Sequence, residues 1–256
     1  MGKNLKVPVV STRVPSNQIL ASLANGARQR ILAECETVEL KLSQIVYEPG
    51  ALIRHVYFPT ECFISLMIPV DESSILEVGL VGDEGVLGLP LLLGVDTSPL
   101  RAVVQGTGLA WRMDAEAFVQ EVGRNPQLRQ KLHRYLQVCI WQLAQTAACT
   151  RFHLVEQRLA RWLLMTQDRA HQDQFHVTHE FLAYMLGVRR VGVTKAATAL
   201  QTRRLITYHR GEVIVQNRAG MKAASCACYQ NDLDTYDSLL SPAVPRANPR
   251  RRVAPL

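Results

Sequence analysis

The rhythm of apolar side chains changes near residue 115. Upstream, between residues 41 and 112, they come in short runs: Ile45–Tyr47, Val56–Phe58, Phe63–Ile68, Ile75–Leu80 and Ala102–Gln105. Eight Gly and five Pro lie in the same stretch. Runs of strand length separated by turn residues predict an all-β sandwich or barrel. Glu48-Pro49-Gly50, Asp71-Glu72-Ser73 and Gly82-Asp83-Glu84-Gly85 are its natural turns, because Pro presets φ and Gly accepts positive φ. From Gln127 to Leu186 there is neither Gly nor Pro. There Leu128, Leu132, Tyr135, Leu136, Cys139, Ile140, Leu143 and Ala147 recur at steps of three and four, the period of an amphipathic helix. The apolar face is broad for one seam. The helix is therefore expected to pack on its own β module with one side and on a second copy of itself with the other. The plainer reading is a core helix within one subunit. Leu154, Leu159, Trp162, Leu163 and Met165 predict a further helix ending near Asp168 and Arg169, with His171–Phe175 as a polar loop.

The segment from Thr178 to Ile206 is the most informative. Thr178 can cap a helix start, with Glu180 favourable in its first turn. Phe181, Leu182 and Met185 supply a buried face, and Gly187 a turn in which a left-handed conformation is cheap. A second helix running to about Thr202 buries Val193, Ala197 and Leu200. Leu205–Tyr208, His209-Arg210-Gly211 and Glu212–Val215 then read as strand, turn and strand. Helix, turn, helix and hairpin make a winged helix. Arg189, Arg190, Thr194 and Lys195 fall at the start of the second helix, the end that enters a major groove. An Arg there can donate two hydrogen bonds to guanine, worth about 1–3 kcal/mol of discrimination. The bland alternative is a set of solvated surface charges.

Composition and charge sharpen this picture. The chain has 256 residues, 48% hydrophobic and 20% charged, enough for a packed core in one large or two small domains. Its formal charge of +7 hides a strong asymmetry. Residues 31–114 carry four basic and twelve acidic side chains, whereas residues 176–222 carry eight basic and two acidic. A basic second module facing a polyanion follows naturally. No sustained apolar run marks a secretory signal, Lys6 breaks the myristoylation pattern, and Val86–Val95 is too short to span a bilayer. A cytoplasmic protein that uses no membrane is expected. Six cysteines, at 35, 62, 139, 149, 226 and 228, are too sparse for a disulfide framework, and none form Cys-x-x-Cys. Cys226-Ala-Cys228 is the one close pair, either two small residues at a domain end or a redox or metal site.

With these parts in this order, residues 17–228 resemble the Crp/Fnr family of bacterial transcription regulators. The resemblance rests on the β-rich module with Glu48-Pro49-Gly50, the Gly82–Gly88 segment, the long helix and the winged helix. It implies an α+β fold: an N-terminal β-roll (a double-stranded β-helix of the cyclic-nucleotide-binding type), a long dimerisation helix and a C-terminal winged helix-turn-helix. The boundaries expected are a flexible tail at 1–16, a β-roll sensor at 17–114, connecting and dimerisation helices at 115–150, the DNA-binding domain at 151–228 and a largely disordered tail at 229–256. Arg250-Arg251-Arg252 in that tail could add non-specific DNA contacts. Base-reading residues in the family map onto Arg189, Arg190, Val191 and Lys195. Thr178 and Thr194 join them as candidate contacts, and His209 and Arg210 at the wing tip are candidate phosphate contacts. Many members have Glu where this chain has Val191, which cannot accept from cytosine, so their consensus operator does not carry over.

The sensor departs further from the family. Cyclic-nucleotide-binding members show Gly-Glu-Leu-Gly, then a short loop to Arg-Ser/Thr-Ala, with Glu on the ribose and Arg on the phosphate. Here Gly85-Val86-Leu87-Gly88 is followed by a longer apolar loop before Arg101-Ala102. Val86 cannot bond a ribose hydroxyl, and the local field is acidic. A degenerate pocket around Gly82, Gly85, Val86, Gly88, Arg101 and Ala102 is expected, without ordinary cAMP binding. No cofactor is expected either. Iron–sulfur members carry a cysteine cluster near the N-terminus, and no Cys precedes Cys35 here; a haem would depend on a lone His55, His133 or Cys62.

The function expected is a sequence-specific regulator that binds double-stranded DNA as a homodimer on a two-fold symmetric site. RNA polymerase would be a further partner if it activates, and the identity of any effector is open. The alternative is a ligand- or redox-sensing module acting through a protein partner. No Walker A, Gly-x-Ser-x-Gly, dinucleotide or metalloprotease motif suggests an enzyme.

Overall fold

The computed structural model describes residues 16–70 and 75–240. The expected turn Asp71-Glu72-Ser73, the tail through residue 15 and the Arg250–Arg252 cluster lie outside the described residues. Two short helices, α1 (Gln18–Ala21) and α2 (Asn25–Ala33), precede seven strands. These are β1 (Cys35–Leu40), β2 (Ile45–Tyr47), β3 (His55–Pro59), β4 (Phe63–Pro69), β5 (Ile75–Val81), β6 (Arg101–Gly106) and β7 (Gly108–Asp114). They form two antiparallel sheets, in orders β1-β7-β3 and β2-β6-β4-β5. The β-roll is therefore present, and the short apolar runs at 45–47, 56–58, 63–68, 75–80 and 102–105 all fall in strands. β1 and β7 are additions, and β1 (Cys-Glu-Thr-Val-Glu-Leu) is disguised by its charges. One core lies between the sheets, around Tyr47, Ile53, Tyr57, Ile64 and Val104. A second packs Val56, Phe58 and Met113 against the helices through Ile31, Phe118, Leu128 and Tyr135. Each large side chain withdrawn completely from water contributes about 1.5–3 kcal/mol.

Helix α3 (Ala115–Arg124) leads into the 27-residue α4 (Pro126–Phe152). Asn125 caps α4 by accepting from Leu128 N, and Pro126 sits in the first turn, where its missing N–H costs nothing. The apolar positions of α4 divide between two faces. Leu128, Leu132, Tyr135 and Val138 are buried against the β-roll, while Ile140, Leu143 and Ala147 are exposed.

The second domain comprises α5 (Val155–Ala170), β8 (Gln174–His176), α6 (His179–Leu186), α7 (Arg190–Thr202), β9 (Ile206–His209), β10 (Glu212–Val215) and α8 (Arg218–Ala224). The three strands make one sheet in the order β8-β10-β9. The polar segment expected as a loop at His171–Phe175 thus contributes a strand: Phe175 pairs with Val213 and is buried. The core runs through Leu159, Leu163, Leu182, Val193, Leu200, Ile206 and Val213, and continues into the β-roll through Met67 with Ile75 and Val103 packed against it.

Residues 229–240 are not a disordered tail. They belong to α9 (Cys228–Leu240), which packs along α4. Tyr229 and Asp232 are buried, Tyr236, Leu239 and Leu240 join the core beneath α4, and Lys131 Nζ donates to the Leu240 carbonyl at 3.1 Å. The burial of Tyr229, the packing of Tyr236 and the Arg161–Asp232 ion pair at 2.7 Å hold this helix in place.

Candidate nucleic-acid interface

Local chemistry sets the helix-turn-helix. Thr178 is extended and its Oγ1 accepts from Phe181 N at 3.1 Å, capping α6. Gly187 closes α6 in the left-handed region (φ +59°, ψ +44°), where a side chain would be strained. Arg189 is extended as the N-cap of α7. α7 turns Val193, Ala196, Ala197 and Leu200 into the core. Its other face exposes Arg189, Arg190, Val191, Thr194 and Lys195. Thr198, one turn beyond Thr194, extends this exposed row; the i+4 spacing was the available signal for it. None of Arg189, Arg190 or Lys195 has an ion-pair partner among the described residues. Three cations thus stand at the helix end whose dipole also attracts phosphate.

His179, which carries no signal in the sequence pattern, braces this face. It stacks on Tyr208 with ring centroids 4.3 Å apart, and its Nδ1 lies 3.1 Å from Thr194 Oγ1. Partial burial, helped by the charge of Arg190, lowers its pKa and favours the neutral ring. Tyr208 donates to the Val177 carbonyl at 2.6 Å, tying the wing to the residue before the Thr178 cap. At the wing tip Arg210 (φ +50°) and Gly211 (φ +86°) form a two-residue turn of the primed type. His209 and Arg210 are both exposed there.

The pocket expected in the β-roll is assembled differently. A cavity of about 170 Å³ lies between the roll and α4, lined by Leu66, Leu80, Val86, Gly88, Leu100 and Tyr135 among others. Of the six residues expected there, Val86 and Gly88 line it. Gly82, Gly85, Arg101 and Ala102 do not. A Cβ on Gly85 would lie 2.0 Å from the Tyr135 hydroxyl, and one on Gly82 would lie 2.7 Å from Arg169 Cγ. Both glycines serve close packing between elements. Ala102 is completely buried in the roll, and Arg101 pairs with Glu48 at 2.8 Å. The lining includes no cationic side chain, so a phosphate entering it would lose water without gaining a countercharge.

Cys226 and Cys228 are buried and all six cysteines are free thiols. Cys226 Sγ lies 3.6 Å from Cys149 Sγ, and Cys228 Sγ lies 3.4 Å from His153 Nδ1.

These elements define a winged helix-turn-helix protein with a β-roll and a long connecting helix. Residues 157–224 match the Crp-like helix-turn-helix domain, and the fold around them is that of the Crp/Fnr regulators. FixK2 from Bradyrhizobium japonicum superimposes with a TM-score of 0.64 at 14% identity, over 75% of this chain and 98% of that one. CLP of Xanthomonas campestris, a c-di-GMP-responsive global regulator, gives 0.62 at 18% identity over 75% and 99%. A Crp/Fnr-family transcriptional regulator of Thermus thermophilus gives 0.59 at 20% identity over 74% and 98%. No curated protein sequence matches the chain. No helix among the described residues is long and apolar enough to cross a membrane.

Proposed function

We propose that the protein is a transcription regulator that binds double-stranded DNA as a homodimer through α7. The observation that carries this reading is the outward face of α7: Arg189, Arg190 and Lys195, without carboxylate partners among the described residues, on a helix held by a continuous core. Arg189, Arg190, Val191, Thr194 and Lys195 address base edges and flanking phosphates, and His209 and Arg210 address phosphate from the wing. Thr178 supports them chiefly as a cap, since its oxygen is committed to Phe181 N. Leu136, Ile140, Leu143 and Ala147 lie at steps of four, three and four along α4, and the last three are exposed. They form the seam on which a second copy would pack. Two such copies would place half-site centres about 34 Å apart, one turn of DNA. The apolar cavity supports a regulator that does not answer to cAMP.

The test is a binding comparison. Arg190→Ala is expected to weaken the specific site, identified by genome-wide mapping, by about 1–3 kcal/mol, with a much smaller loss on random DNA. Equal losses on both would make Arg190 a phosphate contact. Salt-insensitive, weak binding to every duplex would overturn the reading as a whole.

A further inference from the structure

The four groups around Cys149 converge although they come from distant parts of the chain. Cys149 and His153 are four residues apart at the C-terminal end of α4, so both project from one face. Cys226 and Cys228 flank the junction between α8 and α9, where Tyr229 N donates to the Cys226 carbonyl at 3.2 Å. That turn brings both thiols back to the same side. One sulfur or nitrogen atom from each of the four residues lies within 4.8 Å of all the others.

We infer that Cys149, His153, Cys226 and Cys228 form a structural zinc site that fastens the end of α4 to the α8–α9 junction. The donor set is that of a closed site: three sulfurs and one imidazole nitrogen, the Cys3His combination that suits a tetrahedral zinc ion. With Zn–S of about 2.3 Å and Zn–N of about 2.0 Å, neighbouring ligands on a tetrahedron stand about 3.5–3.8 Å apart. The Cys149–Cys226 separation of 3.6 Å and the Cys228–His153 separation of 3.4 Å are close to that spacing, and the remaining pairs lie within 4.8 Å. A disulfide would require sulfurs about 2.05 Å apart and would leave the other two groups without a role. An iron–sulfur cluster would need room for its own irons and sulfides among the four ligands, which a 4.8 Å cluster of donor atoms does not offer.

Charge points the same way independently. Three thiolates and a neutral imidazole around a divalent ion carry a net charge of minus one. Two buried arginines from α5 stand nearby. Arg161 is already paired with Asp232 at 2.7 Å. Arg158 donates to the Leu186 carbonyl and has no carboxylate partner among the described residues. An isolated buried guanidinium is costly, and an anionic zinc–thiolate centre would neutralise it. The same Arg158 carbonyl contact lies at the last residue of α6, so the site would touch the helix-turn-helix as well as the two helices it joins. Loss of the ion would remove the fastening between the α8–α9 junction and the end of α4, leaving α9 held by its core packing and the Arg161–Asp232 pair. It would also leave Arg158 without its countercharge, loosening the platform on which α7 is mounted.

The zinc site does not depend on DNA binding and is tested on the full chain. Protein purified without chelator should contain about one zinc per chain by elemental analysis. Replacing the zinc by Co2+ should give the strong visible absorption of a tetrahedral centre and a sulfur-to-cobalt charge-transfer band. The paired substitution Cys226→Ser with Cys228→Ser should abolish both, and Cys35→Ser, away from the site, should leave both unchanged. Should the paired variant fail to fold, the Co2+ spectrum of the unaltered chain still decides the matter. Metal-free protein that gives only the weak spectrum of hydrated Co2+ would overturn the inference. So would full zinc retention in the paired variant, or isolation of the protein with a Cys149–Cys226 disulfide and no metal.

Discussion

Two carboxylates from the β-roll are largely withdrawn from water where it meets the winged-helix domain, and their partners differ. Glu84, in the turn after β5, faces Arg169 of α5 at 2.8 Å, a charge-to-charge contact. Glu77, on β5 itself, accepts from neutral donors among the described residues: Ser65 Oγ at 2.5 Å and Trp162 Nε1 at 2.8 Å. Desolvation dominates at Glu77. The two hydrogen bonds and the more distant Arg169 and Arg161 offset it only in part, and its pKa is pushed up to about 7. At Arg169 burial is the strongest influence and opposes the charge, but the Glu84 carboxylate, together with Tyr236, Tyr135 and Asp168, outweighs it and raises the pKa. The same contact surface therefore holds a clamp of paired charges and a latch that titrates near neutrality. An ionised partner, more than the number of hydrogen bonds, separates the two.

The largest effect should come from breaking the clamp. Arg169→Met keeps the apolar stem but leaves Glu84 shielded from water without its guanidinium. A loss of about 3–5 kcal/mol in urea unfolding is expected. Adding Glu84→Gln to it should restore much of that loss, because the stranded charge is then gone. If the double variant is no better than the single one, packing of the Arg169 stem against Gly82 and not charge is what holds the domains.

The latch should behave in the opposite sense with pH. Folded Glu77 keeps its proton up to about 7, while the unfolded chain releases it from its ordinary value of 4.5. The stabilising contribution is therefore complete below 4.5, declines as pH rises and is exhausted above about 7. Glu77→Gln keeps one carbonyl oxygen to accept from Trp162 Nε1, presents its NH2 to Ser65 Oγ, which can accept, and cannot ionise. Relative to the unaltered chain it should gain stability as pH is raised from about 5 to about 9, by up to about 3 kcal/mol. Unfolding curves at the two pH values check this, and an equal difference at both would show that Glu77 does not titrate in this range.

How much of this arrangement could be read in the sequence follows from the range of the interactions. The helix-turn-helix is written in neighbours: the Thr178 cap, Gly187 at positive φ, the Arg210-Gly211 turn, and the three- and four-residue spacing of Val193, Ala197 and Leu200. The two faces of α4 were legible for the same reason. β8 was missed because three residues make a strand only through pairing with β10, some forty positions away. α9 did leave a trace, since Tyr229, Leu233, Tyr236 and Leu240 recur at helical spacing among polar neighbours. Their partners, however, lie on α4 and α5. The same distance hid the cavity lining, because Arg101 turned out to face Glu48 instead of a ligand. It also hid the cysteine cluster, whose members are up to 79 positions apart in sequence.

The smallest predicted effect tests whether clamp and latch are independent. Tyr236 of α9 reaches the clamp and not the latch: its hydroxyl lies 3.3 Å from Arg169 Nη2 and 3.4 Å from Glu84 Oε1, and it also accepts from Gln142 Nε2 of α4 at 3.0 Å. Burial pushes its pKa well above the ordinary 10, so the hydroxyl keeps its proton and can donate to Glu84 at any working pH. Tyr236→Phe preserves the ring in the core beneath α4 and removes only that hydroxyl. Gln142 and Arg169 each lose one acceptor, but the Arg169–Glu84 pair remains, so the expected loss is about 1 kcal/mol. Because Glu77 is bonded to Ser65 and Trp162 and not to Tyr236, this loss should be the same at about pH 5 and about pH 9. Unfolding of Tyr236→Phe, Glu77→Gln and the combined variant at both pH values measures the coupling. Additive effects would mean that α9 braces the paired charges alone, whereas a pH-dependent loss in Tyr236→Phe would show that the clamp sets the proton affinity of the latch.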